Sequence, residues 1–599
     1  MIVEEIEKRM NPADKQKFEK SSVWCHPPDE MDENKMSAAQ WPACLLSEPH
    51  LRAAWEKLPK TASQALAVVI SSFGAAPFKE EQLLQSVPAG SIGVNYRLGL
   101  LRLLQSGIIF AVRKGWGEKL YFVPQDTFLL WYRIIYSDSV CLPVENLKVH
   151  DIVPNEEDEG YTPPFRLQLL HTMAAIKRTD MRLTSKGILT KRTVDRCLKQ
   201  LKTTFAEKKA LRISEDMISG YPLSVAFALE IIFSHGWLVK QQESLQIQEY
   251  WNNWLMMPTI TRETELVHRI FRQFAFQHIP SGQAAALLSE LLPMKWYRLA
   301  DLGDSLRSII ADIDRAEAAA AAVDDYCRWL SSLGWLETAQ TKQGHKIIRW
   351  LITVKIRIPN VDFLVNFSEG TDLERIRITP DGEIFVDSNG PDHVRWLLEL
   401  IAERKQTDRV TVYKMNAHSL SFAQKEGISG ERIIELLEQA SGERLPETVR
   451  LSIMEGMPRE PVQIQPPQTA QPKQAIPSLF PDPNSLYGFE LLTDWPSYRS
   501  LFDGLDEVPN MWIKQLRPYH HTTRRELLER ALSWRTAVKL TYQGAVQAFV
   551  PERIEEAGTA WSVVGHFVQR TDREPVRLSP EMWGEMMLDI PQESNMLQA

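Results

Sequence analysis

The spacing of apolar and polar residues divides the chain into helical runs, with a period near 3.6, and extended runs, with a period of 2. From residue 58 onward, helical spacing holds over 65–73, 80–87 and 94–106, and Gly107 closes the third run. Extended stretches at 108–112 and 119–123 flank Lys114-Gly115-Trp116-Gly117. Three helices and a hairpin predict a winged-helix-like unit over 51–145. A second such unit is predicted over 262–358. It has Trp296-Tyr297-Arg298-Leu299, helices near 302–310, 311–322 and 324–333, a turn at Gly344 and a strand at 346–354. Residues 146–261 between them read as a helical module. A helix-ending glycine precedes an apolar strand three times, at Gly107-Ile108, Gly236-Trp237 and Gly334-Trp335. This suggests an array of modules without a fixed period.

The flanks read differently. Residues 1–50 mix charge and proline, with an acidic cluster at 29–33, and predict a loose N-terminal tail that docks through Trp24 or Trp41. Residues 458–485 are rich in Pro and Gln and read as a linker. Residues 486–599 hold a helix at 524–534, then alternating stretches at 538–542, 548–551, 561–568 and 576–578. These predict a small β-barrel. The fold class is therefore multi-domain α+β, built of winged-helix and helical modules, a small α+β domain at 359–457 and the C-terminal barrel.

That α+β domain has the clearest local signals. Strands at 376–378 and 383–386 meet at Asp381-Gly382, Gly427 ends a short helix, and Ser429 can cap the next. Trp396, Tyr413 and Leu437 read as core residues of this segment, which runs through Pro380-Asp381-Gly382-Glu383, Trp396-Leu397-Leu398, Val412-Tyr413, Ser419-Leu420 and Leu445-Pro446. In that order and spacing it resembles the N-terminal domain of the XPB class of helicases, which bacteria also carry in separate helicase-associated proteins. The stretch from Met181 to Arg192, with Leu183-Thr184, Gly187 and Lys191-Arg192, is similar to a segment of the same proteins. The C-terminal unit has a weaker similarity to WYL-type barrels, resting on its helix, the strand at 538–542 and Arg577-Leu578-Ser579-Pro580. The Trp-Tyr-Leu signature is absent, so a structural barrel is favoured over a ligand sensor there.

Charge narrows where a partner would bind. The chain carries a net charge of −8, which argues against a surface basic all over. Residues 178–212 nevertheless hold eleven Lys and Arg against Asp180, Asp195 and Glu207. Val194, Cys197, Leu198, Leu201 and Phe205 recur at helical spacing and predict a buried face. Arg182, Lys186, Lys191, Arg192, Arg196, Lys199 and Lys202 are the candidate nucleic-acid-binding residues. Such a face suits phosphates, because neutralising each one releases condensed counterion. A merely solvated helix is the competing reading. In the first winged unit, Arg97 and Arg102 would face a DNA groove with Arg113 and Lys114 at the backbone. The helix carrying Arg97 is too apolar to read bases, and a protein–protein spacer is favoured there.

Chemistry is excluded more firmly. A P-loop needs Gly-x-x-x-x-Gly-Lys-Ser/Thr, and the sequence contains no Gly-Lys dipeptide. Asp506-Glu507 is followed by Val-Pro, so the Asp-Glu-x-His box is missing too. No Gly-x-Ser-x-Gly elbow or His-Glu-x-x-His pair occurs. Cys25, His26, Cys44 and His50 fit no common zinc spacing, and the adjacent His520-His521 is a weak metal candidate. The expectation is a non-enzymatic protein without cofactor. Five scattered cysteines without a Cys-x-x-Cys pair, no long apolar run and no apolar signal core point to reduced thiols and a cytoplasmic location, with no membrane partner. The resemblance implies a helicase-associated role in DNA repair or transcription, with double-stranded or forked DNA, a helicase, or a transcription or repair protein as partner. The alternatives are a scaffold without DNA affinity and a WYL-like ligand-responsive regulator.

Overall fold

A computed structural model describes residues 1–24, 41–88, 90–115, 117–145, 147–154, 161–179, 181–202, 220–276, 278–352, 376–387, 390–457, 488–557, 560–568 and 574–591. The expected acidic N-terminal cluster, Cys25, His26, Trp116, Phe205 and the Pro/Gln-rich linker lie outside the described residues.

Helices α1 (Val3–Arg9), α2 (Pro12–Glu19), α3 (Trp41–Leu45) and α4 (Glu48–Lys57) open the chain. Where residues 1–50 are described they are not loose. Val3, Ile6, Phe18, Trp41 and Leu45 are buried in the main core, Phe18 and Trp41 lie 4.8 Å apart, and the Trp24 indole donates to the Ser106 carbonyl. Most of their charged neighbours turn to solvent, Asp14 being the buried exception in α2, so high local charge does not keep the apolar side of each helix from packing.

Next come α5 (Lys60–Ser72), α6 (Glu80–Gln85), α7 (Gly93–Gln105) and the hairpin β1 (Phe110–Lys114)–β2 (Lys119–Phe122), followed by α8 (Gln125–Tyr136) and the short β3 (Ile152–Pro154). The same order returns in α9 (Phe165–Lys177), α10 (Lys191–Leu198), α11 (Leu223–Ser234) and β4 (Leu238–Gln241)–β5 (Ser244–Ile247). After α12 (Glu249–Met256) and α13 (Thr259–Ile270) it returns again. This third set is α14 (Ile279–Ser289), β6 (Tyr297–Arg298), α15 (Leu299–Ile309), α16 (Ile313–Ser332) and β7 (Leu336–Thr341)–β8 (Lys346–Trp350). In each set an extended residue before the second helix pairs with the second hairpin strand: Phe78 with Tyr121, Arg182 with Ser244, and β6 with β8. In each, a left-handed glycine follows the third helix: Gly107 at φ 68°, Gly236 at 66° and Gly334 at 66°. A side chain would be strained there, so glycine sets the sharp step into the strand. The three sets share one core. The β4–β5 hairpin was hard to foresee because its turn holds Gln242 at φ 54° instead of glycine.

Residues 376–457 form a separate core. Their sheet has the order β11-β12-β10-β9, from β9 (Arg377–Ile378), β10 (Glu383–Asp387), β11 (Glu403–Gln406) and β12 (Val410–Lys414). Helix α17 (Asp392–Ile401) crosses between β10 and β11, and α18 (Ala417–Lys425), α19 (Gly430–Ser441) and α20 (Glu447–Gly456) follow. Ser429 caps α19 by accepting from the Arg432 amide.

The C-terminal unit begins with β13 (Phe489–Leu492), which pairs with β1, so the first hairpin gains a third strand. Helices α21 (Asn510–Lys514) and α22 (His521–Trp534) precede β14 (Ala537–Tyr542), β15 (Ala545–Ala557), β16 (Ala560–Phe567), β17 (Val576–Leu578) and β18 (Trp583–Asp589). The expected barrel is not formed. The order is β17-β16-β15-β14-β18, an open sheet with no ladder joining β17 to β18 among the described residues. Leu527, Leu528, Ala531 and Trp534 of α22 share its core, so a helix covers apolar surface that closure would otherwise bury.

Candidate nucleic-acid interface

Helix α10 begins at Thr190, whose hydroxyl accepts from the Thr193 amide. Thr193 and Cys197 point inward and are buried, and Leu189 and Leu201 are buried on either side. Lys191, Arg192, Asp195 and Lys199 are exposed, as are Arg182, Lys186 and Lys202. Arg196 is half-buried. Leu198, expected inside, is 42% exposed because the helix ends there and the chain turns away. Lys186, Lys191, Arg192, Lys199 and Lys202 make no ion pair among the described residues. Some exposed cations elsewhere do, such as Arg52, 3.0 Å from Glu48, and Arg307, 2.7 Å from Glu317, while others, such as Lys60, Lys295 and Arg298, do not. A further cation, Lys240 on β4, brings its ammonium against Gly187 in the turn that carries Lys186. More than fifty residues of chain separate the two, so no local pattern signals the approach.

The first helix-and-hairpin set offers no comparable face. Val94, Leu98 and Leu101 of α7 belong to the core of the C-terminal unit. Arg97 bonds the Glu80 carboxylate and the Leu501 carbonyl at 2.7 Å, and Arg102 bonds Gln105. Arg113 pairs with Glu490 at 2.7 Å, and the Lys114 ammonium sits 6.0 Å from the Phe489 ring. The cations considered for a DNA groove there are engaged within the chain. In the other two sets, residues 224–232 of α11 are all buried, and α16 exposes Asp314 and Glu317.

The α10 surface adjoins the 376–457 unit, which docks on α9, α12 and α13 through α17. Asp392 is its centre. Arg166 Nη1 lies 2.5 and 2.6 Å from its two oxygens, and Arg262 Nη1 lies 2.5 Å from Oδ2. Arg166 Nε is 2.9 Å from Glu263, which accepts from the Trp335 indole at 2.6 Å. Burial alone would raise the Asp392 carboxyl, but Arg166 and Arg262 outweigh it and hold its pKa below the usual carboxylate range. Trp396, expected in the core of its own unit, is half-buried and packs edge-on against Trp251 at 5.4 Å. Tyr413 and Leu437 are fully buried, and the Tyr413 hydroxyl bonds Glu399 at 3.0 Å. His171 of α9 is buried 3.7 Å from Glu399; burial first, then Arg404, Arg395 and Arg166, push its pKa far down and keep it neutral.

At the rim of this contact, Arg178 donates to the Glu399 and Ala402 carbonyls and stacks 5.7 Å from the Phe422 ring. Arg404 bonds Glu399 at 2.9 Å and reaches Gln200, just past α10. Burial lowers the Arg178 pKa, Glu399 and Glu403 oppose that, and Arg404 and Arg196 push it further down. Three arginines therefore converge where α9, α10 and β11 meet.

Among the described residues no group of three or more His, Cys, Asp or Glu can hold a metal ion, and no helix is long and apolar enough to cross a membrane. His50 bonds Ser47, His520 bonds Thr522, and Cys44, Cys141, Cys197 and Cys327 form no disulfide among the described residues.

Residues 376–459 match the family described as helicase conserved C-terminal domain. No curated protein matches the chain. The match falls on the unit that α17 fastens to the helical body, and it supports a helicase-associated protein.

Proposed function

We propose that this protein is a non-enzymatic partner of a DNA-processing motor, and that it grips the DNA backbone through the α10 surface. The carrying observation is that exposed Lys186, Lys191, Arg192, Lys199 and Lys202 lack ion pairs among the described residues, in a chain of net charge −8. Cations on and around one helix that have no carboxylate partner among the described residues are suited to phosphate, and they bind without regard to base sequence. On this reading the three helix-and-hairpin sets are winged-helix modules used mainly as scaffold, and residues 376–457 are an XPB-like domain working in repair or transcription. The absence of a Gly-Lys dipeptide supports the view that the motor belongs to a partner.

The test is binding of the full chain to duplex and forked DNA across a salt series. Affinity should fall steeply with salt and weaken when Lys191, Arg192 and Lys199 are changed to Glu. Absent or salt-independent binding would sink the proposal. A scaffold without DNA affinity is the second reading, favoured by the covering of α7 by the C-terminal unit. It predicts nuclease-resistant co-purification with a helicase and no change on charge reversal in α10.

A further inference from the structure

The basic surface does not stop at the end of α10. Gln200 follows Lys199 and accepts from Arg404, so the first turn beyond α10 is tied to strand β11 of the helicase-type unit. Strand β11 is an edge strand of its sheet. Beside Arg404 it exposes Lys405, and the turn into β12 exposes Arg409. Arg409 has no ion pair among the described residues, and Lys405 pairs only with the exposed Glu403, at 2.9 Å. Such a solvated pair contributes about 0–1 kcal/mol and gives way readily to a phosphate. Below them Arg178, Arg196 and Arg404 add positive charge at the joint, partly offset by Glu399 and Glu403. Asp392 with Arg166 and Arg262 fixes the two units to each other, so the two halves of the surface keep one spacing.

The geometry points to a composite phosphate-binding surface, in which α10 and the β11–β12 hairpin contact one continuous stretch of DNA backbone. This rests on the proposed role of α10. It adds that the helicase-type unit itself touches DNA, with Lys405 and Arg409 as its contacts and Arg404 as a positioning residue that joins the halves. Helix α10 spans only ~12 Å at 1.5 Å per residue, enough for a few phosphates of one strand. The hairpin lengthens the track.

The experiment compares the full-length chain with Lys405→Glu/Arg409→Glu and with Lys191→Glu/Arg192→Glu, by fluorescence anisotropy on a labelled duplex over a salt series. Each variant should lower the slope of log affinity against log salt by about 2, one for each phosphate that is no longer neutralised. Thermal melts matching wild type show that both variants are folded; the substituted residues are exposed. Should the hairpin variant bind like wild type while the α10 variant weakens, the composite surface is refuted and the α10 proposal stands. Should wild type show no salt-dependent binding, both fall.

Discussion

The first and second helix-and-hairpin sets share an order of elements and differ in what covers them. In the first, β13 pairs with β1, the C-terminal core closes over α7, and Arg97, Arg113 and Lys114 all find partners within the chain. Among the described residues the β4–β5 sheet of the second has two strands, and α10 keeps Lys191, Arg192 and Lys199 free of carboxylates. The same local architecture thus serves as packing material in one place and as a presented surface in another. Basic residues in a helix are therefore poor guides until their partners are known.

The largest effect should come from the contact that holds the second set to the helicase-type unit. Asp392→Ala leaves Arg166 and Arg262 buried without their shared carboxylate, which costs about 3–5 kcal/mol. Hydrogen exchange should then rise in 376–457 and in α9. Unchanged protection would mean that the two units are not held through Asp392. The covering of the first set is tested next. Leu98→Ala removes a buried side chain from the C-terminal core and should cost about 2–5 kcal/mol by urea unfolding. A cost near zero would mean that the C-terminal unit does not depend on α7.

A smaller effect follows from pH. His171 is buried and His268 half-buried, and both are held neutral, His268 pushed down to about 4 by burial of its ring and by Arg272. Both folded pKa values lie below the unfolded value, so the stability they contribute is present above about pH 6.5 and is lost as pH falls below it. Each costs up to about 1.4 kcal/mol per pH unit in that window. His171→Gln should flatten the urea midpoint between about pH 6.5 and 5, and an equally steep fall in that variant would contradict it. The smallest change should be in the stability of α10 variants, within about 0.5 kcal/mol of wild type.

Much of the fold was legible because its signals are local. The three glycine steps, the Asp381-Gly382 turn, the Ser429 cap and the amphipathic start of α10 each lie within a few residues. The C-terminal sheet was misjudged because β18 returns to pair with β14, which alternation alone does not reveal. Trp396 looked like core because the sequence does not show Trp251 across the contact. The Asp392 cluster was missed for the same reason: Arg166 and Asp392 stand 226 residues apart. A faint signal existed, since Arg166 and His171 fall among the apolar residues of α9, and a buried charge there needs a partner. The basic face of α10 was legible as composition. That its lysines lack carboxylate partners among the described residues, and that Lys240 and Arg404 border it, belongs to the tertiary structure.

The central claim is that the second set, and not the first, meets DNA. The most direct measurement is the salt dependence of duplex binding by the full chain carrying Lys191→Glu/Arg192→Glu/Lys199→Glu, beside one carrying Arg113→Ala/Lys114→Ala. The account predicts that the α10 variant lowers the slope by about 3 while the other matches wild type. Weakened binding on the Arg113 and Lys114 side, with α10 variants unaffected, would contradict it.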